Sequence, residues 1–306
     1  MTDRALHRKA VVLMVCVPVL WSMAGIFTRQ LEVARSFEVT FWRSLFAALF
    51  VALALVFKRQ SVAISKIRRM GWLGLLSGVL WASMFSCFML ALTMTTVANT
   101  LIVDSVSPLL TVFFAWIFLK QKATPRTWIA IILAFIGMVW MFSGGMSELG
   151  RIHLTGMAVA MMVPFAAAAN FIILKKAGQE HEMTHAVFLG GALSALLMLP
   201  LAWPFQASLH DIALMALLGV FQLGLPCMLL IKASNNLSAT EISLLSLLEI
   251  LLGPIWVWLG VGEIPSSSTL VGGAIVLLGL ILHELAPIPQ YRDKQTASIS
   301  INDPGR

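Results

Sequence analysis

The stretch HEMTH, at residues 181–185, combines residue types and a spacing that could bind a metal ion. On a helix, the pattern H-E-x-x-H places two histidines one turn apart to bind zinc, and its glutamate activates a water molecule. A membrane zinc hydrolase would therefore use His181, Glu182 and His185. Such an enzyme needs a third ligand, typically from an Asp-Gly motif, and no Asp-Gly dipeptide occurs in the chain. The hydrolase is one alternative; we predict instead a solvated loop, with no metal, no cofactor and no enzymatic activity.

Four ionisable side chains lie inside long apolar stretches: Arg43, Asp104, Glu241 and Glu249. A charged side chain costs about 2.5–3.5 kcal/mol at the centre of a membrane-spanning helix, so such residues normally face a cavity or a charged partner. Arg43 and Asp104 are predicted at similar depths. Either they form a structural ion pair, or Arg43 binds an anionic group of a substrate and Asp104 binds an ammonium. Glu249 is predicted near the middle of its span, where a carboxyl can carry a proton, whereas Glu241 lies one turn from a span end and is interpreted as interfacial.

Neutral residues near the middle of other apolar stretches complete a predicted substrate cavity. Tryptophans far from the membrane–water interface do not belong to the aromatic belt, so they line a cavity or pack between helices. Polar amides at the same depth need a partner in the protein or the substrate. The neutral lining residues of the predicted cavity are Trp21, Gly25, Trp81, Phe85, Asn170 and Gln222.

The elements that must position these residues are membrane-spanning helices. The chain of 306 residues is 59% hydrophobic and 11% charged, whereas soluble domains have about 25% charged residues. A span needs about 20 apolar residues. Ten stretches qualify, at 9–28, 38–57, 70–92, 97–119, 127–143, 154–174, 184–203, 211–232, 238–260 and 268–285. The basic residues fall in short clusters between these stretches, which excludes a nucleic-acid-binding face as the reason for the net charge of +7.

The distribution of Lys and Arg predicts the orientation. Of the 21 basic residues, 17 fall in segments on the side of the N-terminus and three fall on the opposite side. Cytoplasmic segments of membrane proteins carry the excess of Lys and Arg. We therefore predict a multi-pass protein of the cell inner membrane with both termini in the cytoplasm, comprising a cytosolic segment at 1–8 and a disordered cytosolic tail at 286–306.

The two halves of the chain resemble each other weakly but in a consistent order. PLLTVFFAWIFLKQ, at 108–121, aligns with ILLGPIWVWLGVGE, at 250–263, at an offset of 142 that pairs Trp116 with Trp258. TFWRSLFAALF, at 40–50, aligns with AVFLGGALSAL at an offset of 146. Two five-helix repeats, at 9–143 and 154–285, follow. Because five is odd, the second repeat is inverted in the membrane, as in many secondary transporters, whose sites lie between the halves.

Several of these segments resemble a known family. WSMAGIFTRQL, FEVTFWRSLFAALF, ANTLIVDSVSPLLTVFFAWIFL and LSLLEILLGPIWVWLGVGEIPSSSTLVGGAIVLLGLIL are similar to the two EamA repeats of the drug/metabolite transporter superfamily. The resemblance covers 9–285. It implies an all-α integral membrane protein whose ten helices surround a central cavity, alternating access, and often the export of amino acids or other small metabolites. The chain differs at Ile250, where the family often has proline, and at Gln121, where it has glutamate.

These observations predict a secondary-active transporter that exports a small metabolite, such as an amino acid. No G-x-x-x-x-G-K-[ST] motif for ATP is present, so a gradient must drive transport, and protons are the candidate coupling ion. An importer of a vitamin or another small metabolite is the alternative on the same fold. The predicted partners are the substrate and the lipid bilayer, with no nucleic acid, and the protein is a monomer or a homodimer.

Overall fold

The structure is a computed structural model, and it describes residues 3–28, 30–34, 36–57, 70–94, 97–142, 151–177, 183–262 and 267–284. Within these residues the regular structure is entirely helical. Six helical stretches there are long and apolar enough to cross a membrane, and three shorter apolar helices accompany them. The six are Phe37–Phe57, Gly71–Ala91, Thr155–Ala177, Thr184–Ala202, Leu209–Ser234 and Ala239–Gly260. The chain is therefore a multi-pass helical membrane protein, as the sequence predicts.

The helices follow the predicted spans closely. In chain order they are α1 (Asp3–Trp21), α2 (Ala24–Thr28), α3 (Ser36–Phe57), α4 (Gly71–Met94), α5 (Val97–Asp104), α6 (Ser107–Leu119), α7 (Pro125–Phe142), α8 (Arg151–Ala177), α9 (Thr184–Ala202), α10 (Leu209–Leu217), a π-helical segment (Leu218–Gly224), α11 (Leu225–Ser234), α12 (Ala239–Ser246), α13 (Leu248–Val261) and α14 (Ser267–Glu284). Helix α1 begins at Asp3, so most of the predicted segment 1–8 is helical. The predicted tail at 286–306 lies outside the described residues.

Four of the predicted spans are interrupted or distorted where the sequence predicts continuous helices. Helix α1 ends at Trp21 before α2, α5 ends before a turn at 105–106, and α12 and α13 meet at Leu247. The π-helical segment separates α10 from α11. Proline explains two of these features, because it has no N–H to donate to the carbonyl four residues earlier. Pro108 leaves the carbonyl of Asp104 without that donor, and Pro226 does the same to Gln222.

Glycines allow the helices of the two halves to approach closely. A Cβ on Gly219, in the π-helical segment, would lie 2.6 Å from the backbone oxygen of Arg43 in α3. A Cβ on Gly191, in α9, would lie 3.0 Å from the backbone oxygen of Ser44. The hydroxyl of Ser194 lies 2.9 Å from that of Ser44 and 3.0 Å from that of Ser86, which links α9 to α3 and α4. Helices α3, α4 and α9 therefore form a tightly packed unit.

Two buried carboxylates, here called the acid clamp, join this unit at the end of the molecule that carries residues 30–34. Asp211, in α10, accepts hydrogen bonds from the backbone N–H groups of 32–34 at 2.8–3.1 Å. Reciprocally, Glu38, in α3, accepts from the backbone N–H groups of 206–207 and from the indole of Trp42. Both carboxylates are 0% exposed. Each helix therefore holds the loop that leads into the other.

The acid clamp predicts a large effect of Asp211 on stability. In Asp211→Ala, three backbone N–H groups lose a charged acceptor, which we expect to cost about 2–3 kcal/mol and to lower the midpoint of thermal unfolding in detergent by roughly 5 °C. Glu32→Ala is the matched control, because exposed Glu32 accepts one side-chain bond, from Ser208 at 3.2 Å. Equal midpoints for the two variants would show that the clamp does not stabilise the fold.

Candidate functional site

A cavity of about 100 Å³ lies between the helices. Its wall combines aromatic, hydroxyl, amide and charged side chains from both halves of the chain. The lining residues are Trp21, Arg43, Trp81, Met84, Phe85, Phe88, Asp104, Ser107, Val163, Ala167, Phe171, Gln222, Leu223, Ser243, Ser246, Leu247, Glu249 and Ile250. Ligand pockets commonly enclose about 300–1,000 Å³, so this conformation is narrow.

The cavity lies where the helices are interrupted. Trp21 is the last residue of α1 and Asp104 the last of α5, Gln222 lies in the π-helical segment, and Leu247 separates α12 from α13. Irregular backbone is tolerated at membrane depth only where it is buried in protein or faces a cavity. Discontinuous helices also form the substrate and ion sites of many transporters. The breaks therefore bring polar groups to one place inside an apolar bundle.

Arg43 is the single basic residue among the described residues that line the cavity. Its side chain is 4% exposed, its Nη1 donates to Oε1 of Gln222 at 3.4 Å, and its buried Nε has no hydrogen-bond partner. A buried guanidinium normally forms several hydrogen bonds. Among the described residues Arg43 forms no salt bridge, so the ion pair with Asp104, one of the two sequence-based alternatives, is not formed. Arg43 therefore keeps donors free for a ligand.

Two carboxylates share the cavity with Arg43. Asp104 and Glu249 both line it. One basic and two acidic groups thus face one cavity. Because isolated buried charges are costly, this arrangement suits a ligand that supplies the missing partners.

Aromatic rings form the apolar part of the wall. The rings of Trp81 and Phe85 lie 5.6 Å apart in α4, and Phe88 follows them one turn later. The Nε1 of Trp81 is buried without a hydrogen-bond acceptor. A π-face beside charged groups can hold the apolar or cationic part of a ligand, and the indole N–H can donate one hydrogen bond to it.

The structure places seven of the nine sequence-predicted site residues in the cavity wall; these are Trp21, Arg43, Trp81, Phe85, Asp104, Gln222 and Glu249. Asn170 is instead buried between α8 and α4, where its Oδ1 accepts from Ser77 at 2.6 Å. The prediction that Asn170 lines the cavity is therefore wrong in this conformation. Gly25 lies in α2, and its surroundings lie outside what the structure describes.

The sequence analysis missed two lining hydroxyls, Ser243 and Ser246. Ser243 lies 3.3 Å from the hydroxyl of Ser107, the partner it meets across the cavity. A signal was present, because Ser243, Ser246 and Glu249 recur every three residues and so lie near one helical face. Glu241 does lie at a helix end, where it closes a capping box with Ser238 and forms an ion pair with His7 at 3.6 Å.

The HEMTH stretch is only partly described. His181 and Glu182 lie outside the described residues, and α9 begins at Thr184. His185 is 1% exposed within α9, so the prediction of a solvated loop is wrong for this residue. Among the residues that the structure describes, no group of three His, Cys, Asp or Glu side chains is arranged to hold a metal ion.

A helical membrane protein whose helices break around a charged cavity has the architecture of a secondary transporter. The family comparison agrees with this class. The model of the EamA-like transporter family matches residues 8–143 and 154–283. The chain belongs to this family, as the resemblance of its repeats implies.

Several similar proteins are transporters. The chain is 25% identical to the pseudopaline exporter CntI of Pseudomonas aeruginosa, over 80% of this chain and 84% of that protein. It is 26% identical to the S-adenosylmethionine uptake transporter of Rickettsia felis, over 79% and 80%. It is 23% identical to the human solute carrier family 35 member G1, over 85% and 74%. A solved crystal structure with 16% identity matches 90% of this chain and 97% of its own with a TM-score of 0.77, which shows a shared fold.

Proposed function

We propose that this chain is a secondary transporter that exports a small metabolite bearing both a carboxylate and an ammonium group, such as an amino acid. The observation that carries the proposal is the meeting of Arg43, Asp104 and Glu249 in one cavity, where the Nε of Arg43 is buried without a hydrogen-bond partner. Arg43 binds the carboxylate, since a guanidinium offers paired donors that match its geometry. Asp104 binds the ammonium, and Trp21, Trp81 and Phe85 enclose the apolar part.

The proposed architecture is ten spans in two inverted five-helix repeats, at 9–143 and 154–285. The two matches to the family model support this division. Helix contacts support it as well. An inverted repeat relates α3 to α9 and α7 to α14, and the two helices of each pair pack together. The same repeat relates the contact between α4 and α8 to the contact between α1 and α11, and both contacts are present. The distribution of basic residues supports two cytoplasmic termini in the cell inner membrane.

Alternating access fits the narrow cavity. A substrate of amino-acid size needs more room than about 100 Å³, so it must bind in a wider conformation, and the cavity must contract to the present size after the substrate leaves. One chain supplies every lining residue described here, so a monomer is sufficient, and a homodimer would contain two separate sites. Protons are the proposed coupling ion, with Glu249 as the carrier.

Import is the second candidate direction. The S-adenosylmethionine uptake transporter, which is as similar to this chain as the pseudopaline exporter, favours it. Both directions use the same cavity. Vesicles of defined orientation separate them: with a proton gradient of physiological direction, an exporter fills inside-out vesicles and an importer fills right-side-out vesicles.

The first test is thermal stabilisation of the detergent-purified protein. The panel contains amino acids, each beside its amide, which lacks the carboxylate, and its deaminated acid, which lacks the ammonium. A ligand at a free concentration of 100 times its Kd stabilises the native state by about 2.7 kcal/mol. We expect a parent amino acid to raise the unfolding midpoint and both truncated analogues to raise it much less.

Variants then locate the bound compound. The shift is expected to vanish in Trp81→Ala and Gln222→Ala and to persist in Trp116→Ala, whose side chain is 56% exposed on α6. A shift that survives both cavity variants would place the ligand elsewhere. Equal shifts from the parent compound and its amide would contradict the role of Arg43.

A further inference from the structure

The break between α1 and α2 is held by side chains from the second half of the chain. The indole Nε1 of Trp256, in α13, donates to Oγ of Ser22 at 2.9 Å. That hydroxyl in turn donates to the backbone oxygen of Val19 at 2.8 Å, and Ser22 is 5% exposed. Nε2 of Gln222 donates to the backbone oxygen of Trp21 at 3.3 Å. The end of α1 is therefore capped from outside its own helix.

Helix α13 also contacts the far side of this break. A Cβ on Gly260 would overlap the side chain of Ile26, in α2, so these two residues pack directly together. Gly260 lies one turn beyond Trp256, and Ile26 lies four residues beyond Ser22. Trp256 and Gly260 therefore lie on one face of α13, and this face contacts both the break and α2.

Both segments of this pair adjoin interruptions at the cavity. Helix α2 is separated from α1 by Ser22 and Met23, and α13 is separated from α12 by Leu247. The flanking residues Trp21 and Glu249 line the cavity. A change of backbone torsions at these two places would move α2 and α13 relative to the rest of the bundle, which is how a few residues act as hinges.

We propose that Trp256 is a positioning residue for transport, which binds Ser22 and thereby joins α2 to α13 as one gate that moves about the two breaks. The gate closes the end of the cavity nearer residues 30–34. This inference rests on the proposed function, because it assigns a moving part to alternating access. Trp256 acts through Ser22 and the position of Trp21, without being part of the cavity wall itself.

The test measures access to the cavity and needs no substrate. Met84, which lines the cavity, is replaced by cysteine in a chain whose Cys16, Cys87 and Cys227 are replaced by alanine. A membrane-impermeant maleimide is applied to membrane vesicles of each orientation. Trp256→Phe keeps the ring and removes the donor. Because one hydrogen bond is lost, we expect labelling from the face that carries 30–34 to rise about threefold to tenfold, with no rise from the other face.

Ser22→Ala removes the other partner of the same bond. It should raise labelling to the same extent, and the double variant should add nothing further, since both changes remove one interaction. Trp258→Phe is the matched control, because Trp258 lies on the same helix and is 48% exposed. Should Trp256→Phe fail to fold, Ser22→Ala alone decides the question.

Three results would overturn the gate. These are unchanged labelling, additive effects of the two single variants, or an equal rise from both faces, which would indicate general loosening of the fold. The labelling test uses no substrate, so failure of the gate is distinguishable from failure of the transport proposal. A protein that binds no metabolite can still show the one-sided rise in labelling, and a protein that transports a metabolite can lack it.

Discussion

Replacing Arg43 by glutamine is expected to lower transport of the compound identified by thermal stabilisation about 100-fold. Within the described part of the cavity wall the guanidinium is the single positive group, and its buried Nε has no hydrogen-bond partner. Its hydrogen bonds to a substrate carboxylate are charge-assisted and about twice as strong as neutral ones. Its removal also leaves Asp104 and Glu249 together without a positive neighbour. Initial rates in vesicles, at equal amounts of protein, measure the effect.

Arg43→Lys separates charge from geometry. Lysine keeps the positive charge but lacks the planar pair of donors, so transport should recover only in part, to about tenfold below the parent. A compound whose carboxylate is replaced by an amide provides the specificity control, because its weaker binding should change little in either variant. If Arg43→Gln transports within threefold of the parent at equal stability, Arg43 does not bind substrate and its role is structural.

The positions of the helices were predictable because the bilayer imposes a simple length requirement. Helices α3, α9 and α14 begin and end within two residues of the predicted spans. About 20 apolar residues must cross the hydrocarbon core, and backbone groups there must bond within the helix. Few other arrangements satisfy both conditions for this composition.

The breaks were not predictable from proline alone. Pro164 lies within the continuous helix α8, and Pro200 lies within α9, whereas α12 ends at Ser246 with no proline nearby on its N-terminal side. Whether a freed carbonyl is tolerated depends on what surrounds it, such as Gln222 at the end of α1. That information is tertiary and has no local sequence pattern.

Charged residues inside apolar stretches were a clear sequence indicator of the cavity wall. Arg43, Asp104 and Glu249 were identified because charge inside a span is costly, and all three line the cavity. The sequence could not decide whether Arg43 pairs with Asp104, because depth along a span does not specify the direction in which a side chain points. Hydroxyls carry a weaker signal, since a serine can bond to its own helix, as Ser246 does to the backbone oxygen of Ile242 at 2.8 Å.

The acid clamp shows the same limit of sequence-based prediction. Glu38 and Asp211 lie within the first turns of their helices, where acidic side chains are common and favourable. Their sequence positions therefore indicate nothing unusual. Their importance comes from loops that are about 170 residues away in the chain and adjacent in the fold.

The second large effect is expected at Glu249. Glu249→Gln keeps the size of the side chain and, like the protonated carboxyl, both donates and accepts hydrogen bonds, but it cannot release a proton. If this carboxyl carries the coupling proton, the variant should lose accumulation of substrate against its gradient while still exchanging substrate between the two sides. We expect at least a tenfold loss of gradient-driven accumulation, measured in vesicles with and without an imposed pH difference, with exchange within about threefold of the parent.

Variants of Asp104 and Glu241 show whether the effect on coupling is specific to Glu249. Asp104→Asn removes the other acidic group of the cavity. If Asp104 binds the ammonium and Glu249 carries the proton, this variant should weaken binding while leaving the response to pH. Glu241→Gln, at the capped start of α12, should leave both intact. The reverse outcome, with coupling lost in Asp104→Asn and kept in Glu249→Gln, would exchange the two roles, since both groups line one cavity with Arg43. Coupling kept in both variants would exclude a proton carried by this cavity and would require the gradient of the substrate itself to drive transport.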